Sequence, residues 1–139
     1  MPLINWNETL SVGVEYIDNQ HKRLVSIINR LNDAMLQDKG NKVMGEILDD
    51  LLDYTKTHFA SEEKLMKKYG YPESADHFRE HEKLTNEVID FIEKYRLGNA
   101  MVTMPVLQFL KEWLNNHILE TDKEFGKFLR EKGKKDLEK

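Results

Sequence analysis

The stretch that decides the fold is residues 58–81, which read HFASEEKLMKKYGYPESADHFREH. Gly70 and Pro72 in its middle are typical of the end of one helix and a sharp connection to the next. On either side of them, polar residues recur four positions apart, in two pairs: His58 with Glu62, and His77 with His81. Because residues four apart share one face of an α-helix, the stretch predicts two helices that direct these side chains inward.

The same helical spacing extends over most of the chain. Apolar residues at intervals of three and four predict four amphipathic helices, and glycine ends two of them, at Gly70 and Gly98. The fourth helix is expected to bury Phe125 and Phe128. Since long helices joined by short loops pack as antiparallel neighbours, the sequence predicts an all-α fold, an up-down-up-down four-helix bundle.

A chain of 139 residues is long enough for a single domain around one core. Residues 1–17 are expected to form an N-terminal arm laid across the bundle, with Trp6 as its anchor. The bundle is expected to cover residues 18–132, and the tail that follows to be solvated and frayed.

Composition excludes several classes of partner and site. The net charge of -4 comes from 25 acidic and 21 basic residues interspersed along the chain, which argues against binding nucleic acid or an anionic membrane. No apolar run approaches the roughly 20 residues needed to span a bilayer, so membrane insertion is not expected. The sequence predicts a cytoplasmic location. Without cysteine, any metal must take nitrogen and oxygen ligands.

All five histidines are predicted to lie on inward faces: His21, His58, His77, His81 and His117. One inward histidine is usually a hydrogen-bonded core residue, but five of them, together with Glu62 on an apolar stripe, favour a metal site. Five imidazoles are too many for one tetrahedral zinc and too nitrogen-rich for magnesium or calcium. A pair of iron ions suits them. A carboxylate-rich di-iron oxidase is disfavoured, because its Glu-x-x-His pairs are not found on the inward rows of this sequence.

In order and spacing, these residues resemble the metal-ligand pattern of hemerythrins: His21, His58-x-x-x-Glu62, His77-x-x-x-His81 and His117-x-x-x-x-Asp122. The segments WNETLSVGVEYIDNQHKRL, residues 6–24, and WLNNHILETD, residues 113–122, are similar to bacteriohemerythrins in particular. The resemblance covers residues 5–130, nearly the whole chain.

The resemblance implies two iron ions with unequal ligand sets. One ion would be saturated by three histidines, His77, His81 and His117. The other would be bound by His21 and His58 and keep one open position. Glu62, Asp122 and an oxo or hydroxo group would bridge the two ions.

Asp122 enters this set through the resemblance alone. On an ideal helix, five residues correspond to a rotation of about 140°, so Asp122 would not share a stripe with His117. Either the helix departs from regular geometry there, or the carboxylate approaches the metals from the side.

The resemblance further implies an apolar oxygen pocket lined by Ile28, Phe59, Trp113 and Leu114. Plain core packing accounts equally well for Ile28 and Phe59, whereas Leu114 is interpreted as functional. The implied function is reversible dioxygen binding for carriage, storage or buffering. A monomer is expected because one bundle core accounts for the apolar residues, and any protein acceptor of the oxygen is unknown.

Two other functions are open: a di-iron enzyme acting on peroxide or nitric oxide, and an oxygen or iron sensor module. The sequence favours dioxygen binding over the enzyme because no inward tyrosine, extra carboxylate or general acid is evident beside the open position. It favours dioxygen binding over the sensor because no output domain is attached.

Overall fold

The computed structural model describes residues 3–38, 41–98 and 104–131, and every regular element in these ranges is helical. A 3₁₀ turn, Glu8–Leu10, precedes four long helical stretches: α1, Glu15–Leu36; α2, Asn41–Tyr69; α3, Ser74–Arg96; and α4, Met104–Asn116, which continues through a π-helical segment, His117–Asp122, into α5, Lys123–Glu131. The tail expected after residue 132 lies outside the described residues.

The helices form the predicted up-down-up-down bundle, with α4, the π-helical segment and α5 together making the fourth helix. α1 packs against α2 and α4, and α2 packs against α3. At the end of α2, Gly70 takes a φ of 65°, which a residue without a side chain adopts readily, and the Tyr71 amide donates to the Met66 carbonyl. The all-α prediction is therefore confirmed, and no helix in the described ranges is long and apolar enough to cross a membrane.

Aliphatic residues and Trp6 together attach the arm to the bundle. α1 begins at Glu15, within the range assigned to the arm. Trp6 is partly buried against the core, and the Lys22 ammonium lies 5.4 Å from the centre of its ring. The fully buried arm residues are aliphatic: Ile4, Leu10, Val12 and Val14. These smaller side chains fill the apolar gap between the arm and the helices, so Trp6 is one of several anchors.

The arm lies against α5 at close range. A side chain at Gly126 would collide with the backbone carbonyl of Val12, so the absence of a Cβ there lets the arm and the helix touch. The Arg130 guanidinium donates a hydrogen bond to the same carbonyl. The arm is thus held to the far end of the fourth helix.

The inward face of α5 is displaced by one residue from the expected one. Phe125 and Leu129 are fully buried, whereas Phe128 is only partly buried. The π-helical segment accommodates one extra residue per turn before α5 begins, which changes the phase of every later side chain. The prediction for Phe125 is confirmed, whereas Phe128 packs against the core only in part and the fully buried position belongs to Leu129.

Candidate metal centre

Seven polar side chains meet in the middle of the bundle, and each is at most 3% exposed. They come from all four long helical stretches: His21 from α1, His58 and Glu62 from α2, His77 and His81 from α3, and His117 and Asp122 from the π-helical segment. A cluster of buried imidazoles and carboxylates is costly unless its members are paired or bind a metal, so its internal geometry is informative.

α2 and α3 position their pairs by ordinary helical geometry. His58 and Glu62 are four residues apart on α2, as are His77 and His81 on α3. Such residues project from adjacent turns of the same face, and each pair extends an apolar stripe that is already buried. The inward orientation predicted for these four residues is confirmed.

The fourth helix positions its pair differently. His117 and Asp122 are five residues apart and bound the π-helical segment, whose i→i+5 hydrogen bonds widen the turn and bring residue i+5 back under residue i. The Thr121 hydroxyl donates to the His117 carbonyl at 2.9 Å within the same segment. Asp122 is completely buried as a result, with Oδ2 2.8 Å from Nε2 of His117. Of the two alternatives, the departure from regular geometry is the one observed.

Glu62 reaches histidines from three helical stretches with a single oxygen. Its Oε1 lies 3.0 Å from Nε2 of His81, 3.5 Å from that of His117, 3.6 Å from that of His58 and 3.8 Å from that of His77. The carboxylate therefore lies between the ends of the cluster.

Asp122 occupies an equally central position. Its Oδ2 lies 2.6 Å from Nε2 of His21 and 3.5 Å from that of His58, while Oδ1 lies 3.0 Å from Nε2 of His77. All five histidines thus present Nε2 within 4 Å of a carboxylate oxygen. Each carboxylate therefore lies within 4 Å of histidines from at least three helical stretches.

Several of these close approaches are not hydrogen bonds. Both oxygens of Glu62 and the Nε2 atoms of His81 and His117 have no hydrogen-bond partner among the described residues, although the distances would allow one. The atoms converge without the donor–acceptor alignment that a hydrogen bond needs. Convergence of this kind is expected when the atoms are directed toward a shared cation, and it supports a metal site.

The donor atoms separate into two overlapping groups, each within 4.8 Å. One group contains His21, His58, Glu62, His117 and Asp122; the other contains His77, His81, His117 and Asp122. Two groups joined by shared residues fit two neighbouring cations better than one. The residues present therefore suit a two-metal centre with nitrogen and oxygen ligands.

Electrostatics inside the cluster favours the neutral forms of His58, His81 and Glu62 when no cation is bound. Burial lowers the pKa of His58 to about 3 and that of His81 to about 2, and it raises the pKa of Glu62 well above its usual value, with Asp122 adding to the effect. The neutral imidazoles offer lone pairs, which metal binding requires.

His117 and Asp122 behave as an ion pair. Burial opposes charge on both, but the attraction between the imidazolium and the carboxylate at 2.8 Å outweighs it, so the pKa of His117 rises to about 10 and that of Asp122 falls well below its usual value. A metal ion would take the place of the proton on His117.

Two further residues hold ring nitrogens on the outer side of the cluster, and the sequence analysis did not identify either. Nδ1 of His58 donates to Oε1 of Gln20 at 2.6 Å, and Nδ1 of His81 donates to Oε2 of Glu63 at 2.9 Å. Gln20 lies three residues after Ile17, on a buried row of α1, so a polar residue on an apolar stripe was the available signal. Glu63 carried no such signal in the sequence, because it directly follows the inward Glu62 and so lies off the inward stripe of α2.

The expected pocket residues are all buried: Ile28, Phe59, Trp113 and Leu114. The Phe59 ring stacks on that of His81 at 3.9 Å and lies 4.9 Å from that of His117. The Trp113 ring is 6.5 Å from that of Phe59. Aromatic side chains thus close one side of the cluster.

Tyr71 is a buried tyrosine that the sequence analysis overlooked. It follows Gly70 in the connection before α3, and its ring lies 6.3 Å from that of His77 and 4.9 Å from that of Phe125. Burial, with nearby carboxyls adding, raises its pKa to about 12, so the phenol keeps its proton. Tyr71 lies beside His77, at the end of the cluster that the resemblance assigns to the saturated ion.

Comparison with known proteins agrees with this geometry. The family model for the hemerythrin HHE cation binding domain matches residues 12–129. The chain is 36% identical to a bacteriohemerythrin of Methylococcus capsulatus over 91% of this chain and 96% of the relative, and 39% identical to one of Pseudomonas aeruginosa over 84% and 75%. A solved wild-type hemerythrin superposes with a TM-score of 0.84 at 36% identity, covering 90% of this chain and 96% of its own. This chain belongs to the hemerythrin family.

Proposed function

We propose that this chain holds two iron ions in the seven-residue cluster and binds dioxygen there reversibly, for carriage, storage or buffering. The observation that carries the proposal is the convergence of five Nε2 atoms on two buried carboxylates, where the Nε2 atoms of His81 and His117 and both oxygens of Glu62 have no hydrogen-bond partner among the described residues. A set of five imidazoles and two carboxylates matches the preference of iron and exceeds what a single zinc ion can accept. Membership of the hemerythrin family supports the same choice of metal.

The ligands divide unequally between the two proposed positions. His77, His81 and His117 would saturate one ion, and His21 and His58 would bind the other, leaving one position open. Glu62 and Asp122, with an oxo or hydroxo group, would bridge both ions, since each carboxylate reaches histidines at both ends. When bound, the iron pair would supply that open position and the electrons that dioxygen accepts.

The apolar residues beside the cluster would exclude water and anions from the open position. Ile28 and Leu114 are fully buried, and Phe59 and Trp113 nearly so. A dry, apolar surrounding strengthens electrostatic interactions at the site and disfavours entry of charged ligands that would compete with dioxygen. We assign these four residues to the dioxygen pocket.

Turnover of peroxide or nitric oxide is the alternative function. An enzyme of that kind needs a proton donor near the open position. Tyr71, the buried protic group that the sequence analysis overlooked, contacts His77, which belongs to the proposed saturated position. Its location favours reversible binding, and a sensor role would require a partner that responds to the same binding event.

The decisive experiment is a cycle of oxygen exposure and removal. The purified protein should contain two irons per chain, and the reduced anaerobic form should develop a charge-transfer absorption band under oxygen. The band should disappear when oxygen is removed and return over repeated cycles.

Two results would contradict the proposal. One zinc ion per chain with normal folding would exclude the di-iron centre. A single exposure that yields only oxidised protein, with product released in proportion, would replace dioxygen carriage with catalysis.

A further inference from the structure

The two histidines with hydrogen-bonded outer nitrogens have partners of different charge. His58 donates to the neutral amide of Gln20, and His81 donates to the carboxylate of Glu63. In both cases the proton is placed on Nδ1, which leaves the lone pair of Nε2 directed at the centre of the cluster. The two partners therefore share one orienting role but differ in the charge that they place behind the ring.

The two partners also differ in their surroundings. Gln20 is buried on α1, next to His21. The Glu63 side chain is 33% exposed and borders an open groove of about 340 Å³ between α2 and α3, which is also lined by Phe78, Thr85 and Glu82. An anionic partner is sustained where water reaches it, and a neutral partner stands where water does not.

A carboxylate behind an imidazole makes the ring a stronger donor than an amide does. It accepts a charge-assisted hydrogen bond and draws the Nδ1 proton away, which raises the electron density at Nε2. A stronger donor stabilises the more highly charged state of a bound ion. Because His81 and His58 belong to opposite ends of the cluster, the difference acts on the two ends separately.

We propose that Glu63 and Gln20 are positioning residues that make the two metal positions unequal. This inference rests on the di-iron function proposed above. Glu63 favours the ferric state at the end that contains His77 and His81. Gln20 keeps His58 a weaker donor, so that the end intended for dioxygen is more easily held in the ferrous state.

The test exchanges the charges of the two partners in the iron-loaded protein. Glu63→Gln should raise the midpoint potential, and Gln20→Glu should lower it. Loss of a partner behind a metal-bound histidine typically changes metal affinity by about 10- to 100-fold. Each tenfold change in ferric over ferrous binding corresponds to a shift of about 59 mV for one electron. Potentials would be measured by spectroelectrochemical titration, and iron retention by competition with a chelator.

The matched control is Glu82→Gln, which removes the same charge from the same groove, at a residue adjacent to His81 but exposed. It should leave both the potential and the chelator competition close to those of the parent protein. Should Gln20→Glu fail to fold, Glu63→Gln and Glu82→Gln decide the question by themselves.

Equal shifts in Glu63→Gln and Glu82→Gln would overturn the inference, because charge at a distance would then explain the effect. Shifts of the same sign in Glu63→Gln and Gln20→Glu would overturn it as well. Two bound irons with unchanged potentials would reject this inference alone, whereas failure to bind two irons would reject it together with the proposed function.

Discussion

α2 and α3 place their metal-site residues by repeating the regular helix, whereas the fourth helix places its pair by departing from it. On α2 and α3 the spacing is four residues, and the side chains are in phase with the apolar core. On the fourth helix the spacing is five, and the π-helical segment brings Asp122 back under His117. A carboxylate outside the helical stripe can therefore belong to a buried site when the backbone supplies the missing rotation.

Inserting one alanine after Leu119 should have the largest effect, because the π-helical segment already accommodates one extra residue. Asp122 would then be six residues after His117, and Asp122, Phe125 and Leu129 would each rotate by about 100° away from the core. We expect iron binding to be lost and the free energy of unfolding to fall severely, as measured by metal analysis and chemical denaturation.

Leu119→Ala is the control for this insertion, since it places an alanine at the same point and keeps the number of residues. An insertion variant that folds and binds two irons as well as this control would show that the five-residue spacing is dispensable.

Replacing a histidine on a regular helix should have the next largest effect. His77→Ala removes the partner of Asp122 Oδ1 at 3.0 Å, and breaking a buried pair typically costs about 3–5 kcal/mol. Iron content and stability should fall together, because the remaining polar groups lose both a ligand and a partner. Calorimetry with and without a chelator would measure the loss of stability, and metal analysis would measure the loss of iron. Normal iron content in the variant would exclude His77 as a ligand.

How much the sequence could predict follows from the same comparison. The helices, the bundle and the inward orientation of His58, Glu62, His77 and His81 follow from periodicity. The position of Asp122 could not be predicted from periodicity, because periodicity assumes a regular helix. Only the resemblance to hemerythrins placed Asp122 in the site.

The residues that were missed have physical reasons of their own. Phe128 was expected inward because the one-residue change of phase after Asp122 is invisible to a helical pattern. Tyr71 lies in a connection, where no periodicity applies, and Glu63 is one residue out of phase with the buried stripe of α2. Residues that contact a metal-site histidine from outside the cluster need not lie on the apolar stripe, so helical periodicity does not identify them.

Leu114→Ala tests the regular part of the fourth helix, immediately before the π-helical segment. Leu114 is fully buried, so the free energy of unfolding should fall by about 2–5 kcal/mol if the space does not collapse. Iron content should barely change, because no ligand is touched. The reduced protein should become permanently oxidised faster under air, and still faster with azide, as followed by absorption. Unchanged oxidation and anion sensitivity would make Leu114 a core residue and nothing more.

Gly126→Ala tests the part that follows the π-helical segment and should have the smallest effect. The added methyl group would meet the Val12 carbonyl, so the arm must shift, at a cost of about 1–3 kcal/mol typical of overpacking. The matched control is Gly45→Ala on α2, where an added Cβ meets nothing and alanine should stabilise the helix. Thermal unfolding would compare them, and equal melting temperatures would mean that the arm does not constrain α5.

The contact of Val12 with Arg130 brings together two residues that are 118 positions apart in the chain. Since the arm and α5 meet at one corner, a short linker would join them there, and the chain would be reopened after α3, where Leu97 is 75% exposed. The same corner would serve for inserting the bundle into a surface loop of another protein, because a host loop has to supply two nearby attachment points. The molecule can therefore be treated as a portable module.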